Sequence, residues 1–181
     1  MGEQIQKFGQ ISIEENTEFK FKFKAGDNYI LSNNGLKATK NGKTGWNCVI
    51  VGDKKIPKDR ISKWKIKINK NTEVIKNSDN FIGIGPKSFK DKLYNECWTI
   101  ASGQKNIIEV RIKEISSNCN NHKEELKEGD IIEVIVDRKL GNLSFLVNDI
   151  NYGIACSNIP KDEELYPTVV LYEKDLNIEI V

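Results

Sequence analysis

Apolar and polar residues alternate with a period of two along much of this 181-residue chain. Phe19, Phe21 and Phe23, for example, are separated by single lysines. Because successive side chains of a β-strand point to opposite faces, the pattern predicts strands with one face in a core and the other in water. The same alternation occurs over residues 63–68, 108–113 and 176–180. It predicts that the core contains Trp64, Ile66, Leu143, Phe145, Val147 and Tyr166.

Glycine, asparagine, aspartate and proline cluster between these segments, and such residues favour turns. No segment has a 3.6-residue period long enough for a core helix, so the predicted fold is all-β, a two-sheet antiparallel β-sandwich. We expect the sandwich to span residues 19–181, with residues 1–18 as an N-terminal arm or first edge strand. The turn-rich segments are residues 25–28, 32–35, 40–45, 52–58, 77–80, 116–121 and 157–161.

Charge composition bears on the expected partners, and cysteine content bears on the expected cellular location. The chain has 28 basic and 26 acidic residues, a net charge of +2, and the two signs are interspersed, so we expect neither nucleic acid nor membrane as a partner. No apolar run is long enough for a membrane-spanning helix. The four cysteines are widely separated, which predicts reduced thiols in a cytoplasmic or nuclear protein, expected to be a monomer.

Candidate catalytic and metal-binding residues are few. His122 is the single histidine, and although it forms a Cys-x-x-His with Cys119, a structural zinc site needs four ligands. Glu133 and Asp137 share one strand face roughly 13 Å apart at ~3.3 Å per residue, whereas glycosidase carboxyl groups lie about 5 to 10 Å apart. We therefore expect no enzyme activity, no metal and no cofactor.

The order of several motifs resembles that of the SPRY (B30.2-type) domain family over residues 29–181. The motifs in the last third are residues 129–137, 141–145, 148–149, 153–155 and the Leu-Tyr-Pro at 165–167; those upstream are residues 29–36, 63–68, 81–85 and 97–100. Three positions depart from the family pattern, namely Lys65, Asn148-Asp149 and Cys156. The resemblance implies a concanavalin-like jelly-roll and a non-catalytic protein-interaction module. Such modules commonly recruit substrates for ubiquitin ligases or act as scaffolds.

The resemblance also implies a peptide-binding site on three loops at one rim. Lysines beside aromatic residues there predict a basic rim around an aromatic floor, suited to an acidic or Asn-rich extended segment of a protein or peptide partner. Ordinary solvated loops with their aromatic residues turned inward are the alternative. The candidate partner-binding residues are Lys40, Asn41, Gly42, Lys43, Thr44, Trp46, Lys87, Ser88, Phe89, Tyr94, Tyr172 and Glu173.

A carbohydrate-binding protein is the second hypothesis, because lectins share the concanavalin-type sandwich. Sugar binding needs an aromatic platform and a few amides, often beside calcium. The loops of this chain lack a dense cluster of Asp and Asn residues of the kind that would hold calcium. A protein-interaction module is therefore the preferred interpretation, with a lectin as its alternative.

Overall fold

The computed structural model describes residues 17–70, 80–87, 98–102, 108–111 and 126–181. Within these residues, alternating and uniformly apolar segments form strands, and Asn33–Gly35 forms a short 3₁₀ turn. The strands are β1 (Thr17–Glu18), β2 (Tyr29–Ser32), β3 (Lys37–Lys40), β4 (Cys48–Val51), β5 (Ile61–Lys70), β6 (Phe81–Pro86), β7 (Trp98–Ser102), β8 (Ile108–Arg111), β9 (Ile131–Asp137), β10 (Asn142–Val147), β11 (Ile150–Cys156), β12 (Leu165–Leu171) and β13 (Asn177–Ile180).

These strands form two sheets. The eight-stranded sheet has the order β11-β10-β9-β5-β13-β3-β2, with the short β1 beside β5. The five-stranded sheet has the order β4-β12-β6-β7-β8. All described strand pairs are antiparallel except β1 with β5. The predicted all-β sandwich with two antiparallel sheets is confirmed.

The inward faces of both sheets build one continuous hydrophobic core. Trp64 on β5 is 3% exposed and Phe145 on β10 is fully buried, as their alternation predicts. The ring of Trp64 meets the ring of Phe21 edge-on, with centroids 5.8 Å apart. The five-stranded sheet contributes Ile50, Ile82, Ile84, Ile100, Val169 and Leu171 to the same core.

Strand β12 differs from the half-buried strands because all seven of its residues are buried. Val169 and Leu171 belong to the core between the sheets, whereas Val170 packs with Phe81 in a separate cluster. Alternation therefore places Tyr166 on the same outer face as Val170. Tyr166 is 8% exposed, so its predicted burial is right, but its predicted position between the sheets is wrong.

The hairpin turn between β10 and β11 accounts for one departure from the family pattern. Asn148 and Asp149 have φ values of 50° and 64°, the left-handed pair that a two-residue type I′ turn requires. Asn148 Oδ1 also accepts a hydrogen bond from the N–H of Ile131 at 3.0 Å. Asp can therefore replace the usual glycine, because both residue types tolerate this conformation.

The described end of the predicted N-terminal arm lies against the eight-stranded sheet. Thr17 and Glu18 pair with Ser62 and Lys63 of β5, and the N–H of Phe19 donates to the carbonyl of Lys63 at 2.8 Å. Residues 1–16 lie outside the described residues. Within the part of the chain that is described, no helix has the length and hydrophobicity needed to cross a bilayer.

Candidate partner-binding site

Aromatic residues gather on the outer face of the five-stranded sheet, at the end of β12. Val170 lies opposite Val49 of β4 and Phe81 of β6. The ring of Trp46 stacks on Phe81 with a centroid distance of 5.1 Å, and it lies 4.5 Å from the ring of Tyr172. We refer to Trp46, Phe81, Val170 and Tyr172 as the aromatic cluster.

The aromatic cluster has a buried floor and accessible walls. Phe81 and Val170 are each 1% exposed, whereas Trp46 and Tyr172 are only half-buried. Parts of the two wall side chains can therefore contact another molecule. Neither wall side chain is fully turned inward, as the alternative of ordinary solvated loops with inward-turned aromatic residues would require.

Lys40 does not lie on the basic rim that the sequence predicted. It is fully buried because alternation along β3 places it on the same side as the core residue Ala38. Its ammonium group donates to the carbonyls of Leu171 at 3.0 Å and Tyr172 at 2.6 Å, and also to the carbonyl of Gly45. Burial lowers the pKa of Lys40. Each of the three N–H donors of the ammonium group thus has a backbone carbonyl acceptor. Lys40 therefore anchors the rim from inside the fold and does not contact a partner.

Two further hydrogen bonds join the loop before β4 to the segment after β12. The N–H of Gly45 donates to the carbonyl of Tyr172 at 2.8 Å, and Thr44 Oγ1 donates to Glu173 Oε2 at 2.6 Å. Gly45 has a φ of 142°, a value that side chains rarely tolerate. The structure thus brings together the predicted residues Thr44, Trp46, Tyr172 and Glu173.

The loop before β4 is also tied to the segment before β2. The N–H groups of Asn41 and Gly42 approach the carbonyl of Asn28 at 3.1 and 3.3 Å, while the side-chain amide of Asn28 donates to the carbonyl of Asn47 at 2.8 Å. Asn41 is exposed and Gly42 is half-buried. The backbone of both residues is therefore used to hold the loop, and Lys43, which follows them, is exposed.

Lys87 lies away from the aromatic cluster. It follows the last residue of β6, whereas Phe81 begins that strand, so six residues separate them by roughly 20 Å at ~3.3 Å per residue. Lys87 instead lines a cavity together with Tyr166. The predicted single basic rim is therefore wrong for Lys87. The other predicted residues, Ser88, Phe89 and Tyr94, lie outside the described residues.

Sequence reasoning missed the floor of the aromatic cluster. In the sequence, residues 81–85 form a glycine-containing strand, with no motif that marks its outward residue Phe81 as part of a site. The detectable signal was alternation, which puts Ile82 and Ile84 in the core and Phe81 on the other face. Val170 carried no such signal, because residues 165–171 of β12 are buried on both faces.

The other chemical groups considered from the sequence lie either elsewhere among the described residues or outside them. Glu133 and Asp137 are both half-buried on one face of β9, where Glu133 lies opposite Lys65. Cys48 and Cys156 are both buried. His122 and Cys119 lie outside the described residues. Among the residues that are described, no three His, Cys, Asp or Glu side chains form a group that could hold a metal ion.

Comparisons with known proteins agree with this architecture. The family model for the SPRY domain matches residues 62–180, and no curated protein matches the sequence significantly. The solved SPRY domain of human HERC1 is similar with a TM-score of 0.64 at 18% identity, covering 89% of this chain and 96% of that one. The TRIM65 PSpry domain is similar with a TM-score of 0.65 at 11% identity, covering 91% and 93%.

The two solved structures support the fold, and the family model identifies the family. The B30.2 subtype stays a prediction. SPRY domains are protein-interaction modules and are generally not catalytic. Because the SPRY model matches more than half of the sequence, this chain belongs to the SPRY domain family.

Proposed function

We propose that this domain binds a short extended segment of a protein partner at the aromatic cluster, with Trp46 and Tyr172 as the main contacts. The observation that carries the proposal is the pair of half-buried rings 4.5 Å apart. Tyr and Trp are enriched among residues that dominate binding energy, because they supply a large contact area with few rotatable bonds. No covalent chemistry is required of this surface.

Anchoring of the two loops supports the proposal. Lys40 and Gly45 both bond the carbonyl of Tyr172, so the walls of the cluster are held before a partner arrives. A surface that is already ordered loses less conformational entropy on binding. A given contact area on these loops should therefore give a higher affinity than the same area on mobile loops.

Polar groups beside the rings favour an acidic or Asn-rich segment. Lys43, three positions before Trp46 in the same loop, is exposed, and Glu173, which follows Tyr172, is half-buried. The ammonium of Lys43 can attract a partner carboxylate, and an asparagine amide can donate to Glu173 while accepting from Lys43. Asp or Asn next to an apolar residue is the expected recognition pattern.

We place this binding activity in a cytoplasmic or nuclear protein that acts as a monomeric recruiting or scaffolding module. A ubiquitin ligase is one assembly in which such a module would work, with other components supplying the catalytic steps. The support for this role is the family membership of the chain. In such an assembly the domain selects the substrate by binding alone.

The proposal is tested by identifying a partner through affinity purification and mass spectrometry, and then measuring its affinity by titration calorimetry. Trp46→Ala and Tyr172→Ala should each raise the Kd tenfold or more while the domain stays folded. Tyr152→Ala is the matched control, since Tyr152 is also half-buried but lies on β11 of the other sheet. Unchanged affinity in both rim variants would place the site elsewhere.

The lectin alternative makes opposite predictions in two simple measurements. A carbohydrate-binding domain would bind specific sugars on a glycan array, and a calcium-dependent one would gain thermal stability when calcium is added. The protein-interaction proposal expects no specific glycan signal and no calcium-dependent shift in the melting temperature. A positive result in either measurement would favour the lectin.

A further inference from the structure

A cavity of about 460 Å³ adjoins the aromatic cluster on the outer face of the five-stranded sheet. Val49 belongs to both places, because it packs against Phe81 and Val170 and also lines the cavity. Val51 lies on the same face of β4, and it lines the cavity together with Tyr166 of β12. The cavity therefore continues the surface of the aromatic cluster along β4.

The segment before β2 forms a second wall of this cavity and covers the outer edge of β4. Phe23 pairs with Gly52 in an antiparallel bridge, and the N–H of Lys24 donates to the carbonyl of Val51 at 2.9 Å. The edge of β4 is thus paired with the protein's own chain. A ligand in the cavity therefore lies over the face of β4 and binds through side-chain contacts, without adding a strand at that edge.

This second wall is held in a fixed shape. The hydroxyl of Tyr29 donates to the carbonyl of Lys24 at 2.5 Å, and Tyr29 is 8% exposed. Gly26 leaves room for the ring, because a Cβ there would lie 2.5 Å from the Tyr29 hydroxyl oxygen. The cavity is therefore formed before a ligand arrives, and binding there loses little conformational entropy in the protein.

The floor between the aromatic cluster and the cavity is accessible and short. Val49 and Val51 are both half-buried, so part of each side chain can be contacted. Thr168 of β12 lies opposite Val51, four positions before Tyr172, which corresponds to roughly 13 Å at ~3.3 Å per residue. An extended peptide covers the same distance with four residues, and its residues four positions apart point to the same side. One segment can therefore reach both places.

Charge at the margin of the cavity favours an acidic residue. Lys24 and Lys87 line the cavity and are both exposed. Asp53 also lines it, but its Oδ1 accepts a hydrogen bond from the N–H of Lys22 at 2.9 Å, which partly satisfies this carboxylate. A ligand carboxylate near the two lysines would be attracted by both of them.

We propose that this cavity is a second pocket of the partner-binding site, filled by the same extended segment that binds the aromatic cluster. The segment places one apolar side chain on the cluster and another, four positions away, in the cavity. An Asp or Glu one or two positions beyond the second apolar residue lies near Lys24 or Lys87. This inference rests on the proposed function, because the cluster must bind the first side chain, and it adds the spacing of the recognised residues.

The test uses a phage-displayed library of random linear ten-residue peptides selected against the whole chain, followed by calorimetry with the synthetic peptides that are enriched. We expect two apolar residues four positions apart, followed by Asp or Glu. Ala25→Phe, which fills the cavity from an exposed position, should raise the Kd tenfold or more. Lys24→Glu combined with Lys87→Glu should do the same, and both proteins should keep the melting temperature of the parent.

Each cavity variant has a matched control outside the cavity. Lys127→Glu combined with Lys161→Glu makes the same change in net charge at two exposed positions, and Ser157→Phe adds the same ring at another exposed position. Both controls should leave the Kd unchanged. In addition, replacing the acidic residue of the peptide by its amide should weaken binding to the parent protein and have little further effect on the variant with both Lys24 and Lys87 replaced, because the two changes remove the same interaction.

Trp46→Ala and Tyr172→Ala separate this inference from the proposed function. Loss of affinity in the cluster variants and in the cavity variants is the expected result. Loss in the cluster variants alone would overturn the second pocket and leave the proposed function standing, as would enriched peptides that lack the four-residue spacing. If no peptide is enriched, or if affinity is unchanged in both cluster variants, the proposed function fails and the second pocket fails with it.

Discussion

The ammonium group of Lys40 donates to the carbonyl of Tyr172 at 2.6 Å, although 132 positions separate the two residues along the chain. The same group bonds the carbonyls of Gly45 and Leu171. Replacement by methionine keeps the length of the side chain but leaves these carbonyls without their donor. An unsatisfied buried polar group costs about 1 to 3 kcal/mol. We expect Lys40→Met to lower the free energy of unfolding by at least that amount, measured by urea denaturation.

The same variant should also weaken partner binding, because the loop that carries Trp46 loses its anchor. For the stability measurement, Lys43→Met is the matched control, since Lys43 lies in the same loop but is exposed. It should leave the urea midpoint within error of the parent protein. A Lys40→Met protein with unaltered stability would show that the three contacts contribute nothing to the fold.

Burial raises the pKa of Tyr29 to about 12, against about 10 for an exposed tyrosine. Between these values the folded state binds more protons than the unfolded state, so the stability contributed by neutral Tyr29 is complete below pH 10 and is lost as the pH rises through about 12. Tyr29→Phe should remove this part of the alkaline decrease. It should also cost about 0.5 to 1.5 kcal/mol at neutral pH for the lost hydrogen bond to Lys24. Urea denaturation at several alkaline pH values measures both effects, and parallel curves for the two proteins would contradict the assignment.

Arg138 connects the end of β9 to the segment before β12. It is 1% exposed, and its Nη2 donates to the carbonyls of Pro160, Lys161 and Glu163 at 2.9, 3.1 and 2.7 Å. Loss of this donor leaves carbonyls unsatisfied, and an unsatisfied buried polar group costs about 1 to 3 kcal/mol. Arg138→Met deletes the charge while keeping most of the volume, and it should lower the melting temperature by several degrees. Hydrogen exchange should accelerate in residues 159–163 relative to the strands of the two sheets. Lys161→Met, an exposed neighbour, should change neither measurement.

Alanine substitutions at Trp64 and Phe145 test the predicted packing of the core between the sheets. Trp64 is 3% exposed and Phe145 is fully buried, so truncation of either to alanine leaves a cavity that its neighbours fill only in part. The expected loss is about 3 to 5 kcal/mol for each variant. Ile154→Ala on β11 is a suitable control, because Ile154 is 60% exposed and should tolerate truncation. A loss below 1 kcal/mol for Trp64→Ala would mean that the strand does not hold this register in solution.

The half-buried strands could be predicted from sequence because water on one face imposes a period of two. Phe21, Trp64 and Phe145 all follow that rule. Strand β12 could not be oriented in the same way, since both of its faces are covered and the period disappears. The inward position that the sequence predicts for Tyr166 is therefore on the wrong face of β12. The family resemblance correctly supplied the fold, but it could not replace this missing local signal.

The site was harder to predict than the fold because its geometry depends on long-range contacts. Lys40 reads as a solvated lysine in its local sequence, and the carbonyls of Gly45, Leu171 and Tyr172 make its burial favourable. Lys87 lies near Phe81 in the sequence, yet an extended strand carries it to the far end of the sheet. Trp46 and Tyr172 were identified by loop position, and their direct contact follows from the pairing of β4 with β12.

The anchoring of the rim by Lys40 has a consequence for how its specificity can change. The acceptors are backbone carbonyls of Gly45, Leu171 and Tyr172, and every amino acid supplies a carbonyl. Exposed side chains at Lys43 and Thr44 can therefore be exchanged without removing the Lys40 anchor. A library varied at these positions, with Lys40 and Gly45 kept, would sample new ligands on a framework that loses only the hydrogen bond between Thr44 and Glu173. In this domain the exposed side chains of the rim can therefore change while the backbone that carries them keeps its position.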